Sequence, residues 1–185
     1  MTEARKKLIE EKALSLLLSQ RISGEFALSF LDLRKITTGG EIIIDTFSSY
    51  ERRTGTSLPD GAEGVTLSLP TASIILYDDG VKNVGRRNWT IAHELGHVLL
   101  GHCEVSKSNE READAFAAEL LMPEVVIRYL DEREGEPITP ETMTNYFSAS
   151  VTACKRRRIN LPESSHYRMS EKGLELIKRL FEPTV

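Results

Sequence analysis

Cysteine is scarce. The 185-residue chain has two, Cys103 and Cys154, and they form no C-x-x-C pair. That excludes a disulfide framework and leaves two reduced thiols in a cytoplasmic protein as the expectation. Long apolar runs are also missing, because no window reaches the roughly 18 residues that a membrane span needs. The opening stretch, MTEARKKLIEEKALSLLLSQR, has only a short apolar part, and acids precede it, which does not suit a signal peptide. Neither secretion nor membrane insertion is expected. An excess of positive charge is absent too: the net charge is −4, so no global basic field points to nucleic acid. There are no internal repeats and no low-complexity segments. What remains is an ordinary globular balance, 40% hydrophobic and 28% charged. The length suits one domain, or one with a small appendage, and allows a sizeable core.

Local patterns predict an α+β chain. Leu8, Ala13, Leu16 and Leu17 recur at helical spacing near the start, and FALSFLDLRK reads as a second, short helix. EIIIDTF is β-branched and bounded by Gly39-Gly40, which predicts a strand. SSYERRTGTSLPDGAEG reads as a loop. GVTLSL and ASIILYDD, parted by Pro70-Thr71, predict a hairpin or a small antiparallel sheet. A helix is expected from Trp89, capped by Asn88 or Thr90 and stopped by Gly101. Four more follow: from about Asn109 to Pro123, over EVVIRYLDERE, from Thr139-Pro140, and over SVTACKRRRI. A last helix is expected behind Ser170.

Three of the four histidines fall within TIAHELGHVLLGH, residues 90–102, in otherwise apolar surroundings. His93 and His97 are four apart and share one face of a helix. This is the H-E-x-x-H arrangement of zinc proteases, in which two imidazoles bind one ion and the glutamate, here Glu94, works on water. Zinc supplies a Lewis acid and lowers the pKa of bound water towards about 7. Glu94 is placed to take the proton of that water and pass it to the leaving amine. Ile91, Ala92, Leu95, Val98 and Leu99 leave this helix little polar face, so it should be buried. Buried imidazoles need partners, and a metal is one. Two structural histidines are the simpler alternative.

A metzincin would place its third ligand six residues after His97, where this chain has Cys103, and a glycine where it has Leu100. That reading fails. The other common solution is a carboxylate from the next helix, and NEREADAFAAELLMP offers Glu110, Glu112 and Asp114. Glu110 and Glu112 differ by about 200° around a helix, so one alone can face the ion. Glu110 and Asp114 share a face, which suits a ligand followed by an acid that orients a ligand histidine. Glu112 shares its side with Phe116 and reads as core. The competing explanation is that all three acids merely favour the helix start through its dipole.

Trp89 to His97 (WTIAHELGH) followed by Glu110, Glu112, Ala113, Asp114, Phe116, Ala117, Ala118 and Leu120 to Pro123 resembles the ImmA/IrrE family of zinc metallopeptidases. The resemblance covers residues 86–123 closely and the strand pair 64–78 by position. Asn88 stands where relatives often carry arginine. The resemblance implies a small α+β peptidase domain of gluzincin type, with a short antiparallel sheet packed on the H-E-x-x-H helix. It implies His93, His97 and Glu110 as zinc ligands and Glu94 as general base. It further implies cleavage of helix-turn-helix repressors in phages, mobile elements or stress responses. The expected organisation is a peptidase domain over 1–123 and a helical region over 124–185 whose pattern allows a helix-turn-helix.

Weaker signals remain. His102 lies about 140° from the ligand face of its helix and reads as loop or helix-end structure before it reads as a spare ligand or substrate contact. His166, Tyr167 and Tyr129 are candidate donors to an oxyanion, which zinc peptidases need, though no spacing selects them. Lys155–Arg158 is the one dense basic run, read as a solvated helix face ahead of a DNA or repressor contact. An edge strand beside the zinc commonly pairs with substrate, and ASIILYDD is the candidate; the alternative is a strand that is simply part of the sheet. Against a repressor-cutting zinc endopeptidase stands a non-catalytic, zinc-stabilised module that binds a repressor or DNA. Glu94 discriminates, since a scaffold has no use for a glutamate beside the water.

Overall fold

The computed structural model describes residues 1–104, 106–161 and 167–182. It is an α+β structure of two compact units, Asp32–Ala117 (with Met1) and Thr2–Leu31 together with Ala118–Val185.

The first unit holds strands β1 (Ile42–Thr46), β2 (Gly64–Ser68) and β3 (Ser73–Tyr77), and helices α2 (Phe47–Thr54) and α3 (Val84–Leu100). It also takes in α4 (Lys107–Leu121) as far as Ala117. The sheet order is β1-β3-β2. β2 and β3 pair antiparallel, with Thr66 opposite Ile75. β1 pairs parallel to β3, with Ile44 opposite Ile75, so the sheet is mixed and not the antiparallel sheet the sequence suggested. The cause is the order of insertion: β3 returns from the hairpin into the middle, between antiparallel β2 on one side and parallel β1 on the other. The unbroken apolar run Ile74-Ile75-Leu76-Tyr77 fits a central strand, and Ile75 and Leu76 are fully buried.

α2 occupies a stretch whose composition reads as loop. The Thr46 side chain accepts from the Ser49 N–H at 3.0 Å, and Gly55 ends the helix at φ 69°. No residue of α2 is buried, so no apolar periodicity announces it. α3 begins five residues before the expected Trp89, because Asn83 caps it by accepting from the Arg86 N–H at 2.9 Å. Asn88 is not a cap: it is fully buried, and its Oδ1 accepts from the Leu33 N–H at 3.2 Å. Thr90 sits inside the helix and donates to the Arg86 carbonyl. Gly101 stops α3 at φ 71°, as expected. α3 packs on β2 and β3, and Ile91, Ala92 and Leu95 are buried with Ile75, Leu76, Ala113 and Phe116.

The second unit is helical: α1 (Glu3–Leu18), the end of α4, α5 (Glu124–Glu134), α6 (Pro140–Tyr146), α7 (Val151–Asn160) and α8 (Glu171–Phe181). α1 buries Ile9, Ala13, Leu14, Leu16 and Leu17, whereas Leu8 faces out. α8 packs on α1 and α5, and α6 on α7. Thr139, Ser150 and Ser170 cap α6, α7 and α8. FALSFLDLRK is not one helix but two 3-10 turns, Ala27–Phe30 and Leu33–Lys35. Extended Leu31 parts them, and the Asp32 carboxylate caps the second by accepting from the Arg34 N–H.

The basic run on α7 is divided. Arg157 pairs with buried Glu119, and its Nε donates to the Met122 carbonyl at 3.0 Å. Arg158 grips Asp131 at 2.5 and 2.7 Å. Lys155 and Arg156 remain exposed. No helix among the described residues is long and apolar enough to cross a membrane.

Candidate metal centre

α3 carries His93, Glu94 and His97 on the side that meets the sheet edge and α4. The crossing of α3 and α4 is close at Gly96, where a Cβ would stand 3.0 Å from the Ala113 Cα and 3.2 Å from the Phe116 Cβ. That approach lets the first turn of α4 reach the imidazoles.

His93, His97 and Glu110 converge, with one potential ligand atom from each, all within 4.8 Å of one another. The two Nε2 atoms are 3.0 Å apart, and the Glu110 carboxylate oxygens lie 3.3 Å from His93 Nε2 and 3.5 Å from His97 Nε2. Donors about 2.05 Å from a tetrahedral zinc are separated by about 3.3 Å. These separations, the last two to different oxygens of Glu110, are close to those around such an ion, and the N,N,O donor set suits zinc. Both histidine side chains are mostly buried, at 19% and 18% exposure, while Glu110 keeps 45% and leaves the centre reachable from solvent.

Asp114, one turn after Glu110, meets His93 from behind: its Oδ1 is 2.9 Å from Nδ1. An ionised carboxylate only accepts, so the proton of this bond belongs to His93 Nδ1, and Nε2 is the nitrogen that faces the triangle. Burial pulls the pKa of His93 down, but the Asp114 hydrogen bond and the charges of Asp114, Glu94 and Glu110 outweigh it and hold it above the ordinary value. For His97 burial dominates, the neighbouring His93 adds to it, and the pKa falls.

Glu94 extends to the sheet. Its Oε2 accepts from the Thr66 hydroxyl on β2 at 2.5 Å. Gly64, on the same strand, gives it room: a Cβ there would lie 2.6 Å from Thr90 Cγ2 and 3.1 Å from Glu94 Cγ. Neither Thr66 nor Gly64 stands out in the sequence, since both sit in an unremarkable strand pattern and the contact spans 28 residues. Glu112, read as core, instead meets the ring of His102. Tyr167 donates to Glu10, and Tyr129 stacks on Phe181, both within the second unit. His166 lies outside the described residues.

A comparison with curated proteins finds none that matches. The family model Peptidase_M78, the IrrE N-terminal-like domain, matches residues 55–158. The match covers more than half of the chain and includes β2, β3, Glu94 and the His-His-Glu triangle. The chain belongs to this family of IrrE N-terminal-like peptidase domains.

Proposed function

We propose that the chain is a zinc-dependent endopeptidase of the cytoplasm that cuts a helix-turn-helix transcriptional repressor. The observation that carries the chemistry is the His93–His97–Glu110 triangle, with Asp114 behind one imidazole and Glu94 beside it. Zinc held there supplies a Lewis acid for the scissile carbonyl and makes water more acidic. Glu94, steadied by Thr66, takes the proton from the attacking water and delivers it to the leaving amine. Asp114 fixes which nitrogen of His93 is free to bind.

Substrate would enter as an extended strand. β3 has partners on both sides, so of the two readings of ASIILYDD the strand within the sheet holds and the substrate-pairing edge does not. β1 and β2 are the edges, and β2 is the one that carries Thr66. Pairing along β2 would lay a backbone beside Glu94 without demanding a particular sequence.

The choice of a repressor as substrate rests on the family resemblance. The packed pair α6–α7, joined by a short turn, keeps a helix-turn-helix-like reading of the C-terminal region open. Two observations weigh against DNA contact there. Arg157 and Arg158 are committed to Glu119 and Asp131, and the family match continues to residue 158.

The test is to mix the helix-turn-helix repressor encoded nearest this gene with the zinc-loaded chain or with Glu94→Gln, and to follow intact mass. A specific cut by the wild type and none by the variant is expected. Binding of the repressor with no cut by either would favour the non-catalytic module.

A further inference from the structure

Asp114 secures His93, which leaves the question of what secures His97. The chain turns at Gly101, and the His102 N–H returns to the His97 carbonyl at 3.0 Å. This brings the His102 ring, whose side chain is 4% exposed, back over the end of α3. Its Nδ1 lies 3.1 Å from His97 Nδ1, with the two rings edge to face. Its other nitrogen, Nε2, lies 3.0 Å from Oε2 of Glu112, which is 14% exposed. Glu112 thus uses the side of α4 turned away from Glu110 and Asp114.

The proton positions follow from which groups can donate. The ionised Glu112 carboxylate only accepts, so His102 Nε2 carries a proton. In the neutral ring, Nδ1 is then bare and accepts from His97 Nδ1–H. His97 Nε2 is left with its lone pair, and it is this atom that faces His93 Nε2 and Glu110. We propose that Glu112 and His102 are positioning residues for the metal centre: a two-step relay that sets the tautomer and ring orientation of His97, as Asp114 does for His93 in one step. The reach explains the extra imidazole, since Glu112 touches the outer nitrogen of His102 and His102 spans the remaining distance to His97. The role toward metal rests on the proposed zinc site, whereas the tautomer is a property of the metal-free chain.

The experiment compares the full chain with His102→Ala, His102→Asn and Glu112→Ala. Zinc affinity is read by competition with a chromophoric chelator. The protonated nitrogen of His97 is read separately, by long-range proton–nitrogen NMR of the metal-free protein. His102→Ala should weaken zinc binding about 10–100-fold, the usual effect of losing such a partner, and should leave His97 a mixture of tautomers. His102→Asn, whose amide oxygen can accept from His97 Nδ1, should restore most of the affinity and the single tautomer. If His102→Ala does not fold, Glu112→Ala keeps both rings and should still mix the tautomers. Unchanged tautomer and affinity in the variants would overturn the relay. So would a folded His102→Asn as impaired as His102→Ala. A wild type that holds the Nδ1–H tautomer but binds no zinc would defeat the metal reading and leave the relay standing.

Discussion

Replacing Gly96 with alanine puts a methyl group into the closest contact between α3 and α4. The new Cβ would meet the Ala113 Cα at 3.0 Å, the Ala113 carbonyl oxygen at 3.2 Å and the Phe116 Cβ at 3.2 Å. Carbon atoms rest about 3.5–4.0 Å apart. Two of these three atoms are backbone and cannot swing away, so α4 must retreat by about 0.5 Å or more. Overpacking of this kind costs about 1–3 kcal/mol, and the better helix propensity of alanine returns about 1 kcal/mol. The net loss of stability should be only about 0–2 kcal/mol. The site is less forgiving. Ligand distances tolerate about 0.2 Å, and Glu110 rides on the helix that moves. Zinc affinity should fall at least about tenfold, equal to about 1.4 kcal/mol. The assay pairs chelator competition with thermal unfolding of the metal-free chain. Gly135→Ala is the control. That residue ends α5 at φ 76° with no atom within 4 Å of a new Cβ, so alanine there should cost about 1 kcal/mol of stability and leave zinc affinity alone. Wild-type zinc affinity in Gly96→Ala would refute the reasoning, as would equal loss in both variants.

Other consequences can be checked separately. Thr66→Val removes the hydroxyl on Glu94 but keeps the shape; zinc content should be unchanged while kcat for repressor cleavage drops about tenfold, from a lost charge-assisted hydrogen bond of about 1.5 kcal/mol. The Glu10 carboxyl is pushed up to about 7, first by burial and then by the charge of Glu119, against the hydrogen bond from Tyr167. Its folded value exceeds the unfolded one, so its contribution is complete below about pH 4.5 and is lost as pH rises to about 7. Chemical denaturation should show wild-type stability falling across that window by about 1–2 kcal/mol, allowing for solvent screening of a half-buried group, and Glu10→Gln should flatten the slope. Arg157→Ala strands buried Glu119 and should cost about 3 kcal/mol in denaturant unfolding, whereas Arg156→Ala on the exposed side should stay within about 0.5 kcal/mol of wild type.

The convergence of His93, His97 and Glu110 was legible because each part of it is local. Four-residue spacing puts His93 and His97 on one face, and the same spacing aligns Glu110 with Asp114 on the next helix. The helix starts at Thr139 and Ser170 are equally short-range. What the sequence hid depends on residues far apart. The parallel pairing of β1 with β3 is decided by which strand the hairpin inserts. α2 has no buried residue and the early start of α3 buries only the polar Asn88, so apolar spacing marks neither and the caps at Thr46 and Asn83 are the local signals. Thr66 joins Glu94 across 28 residues, and Arg157 joins Glu119 across 38. α1 falls into one unit with the C-terminal helices through its contact with α8, which no local pattern encodes. His102 and Glu112 each read as ordinary when taken alone, and only their meeting behind His97 gives them a role.

The proposed peptidase chemistry turns on one ion at one point. The most direct measurement is anomalous diffraction at the zinc edge from crystals of the zinc-loaded protein. The account predicts a single strong peak about 2.0–2.2 Å from His93 Nε2, His97 Nε2 and a Glu110 oxygen, with Asp114 and His102 on the outer nitrogens. No peak there, or an ion held by Nδ1 atoms or by Asp114 in place of Glu110, would contradict it.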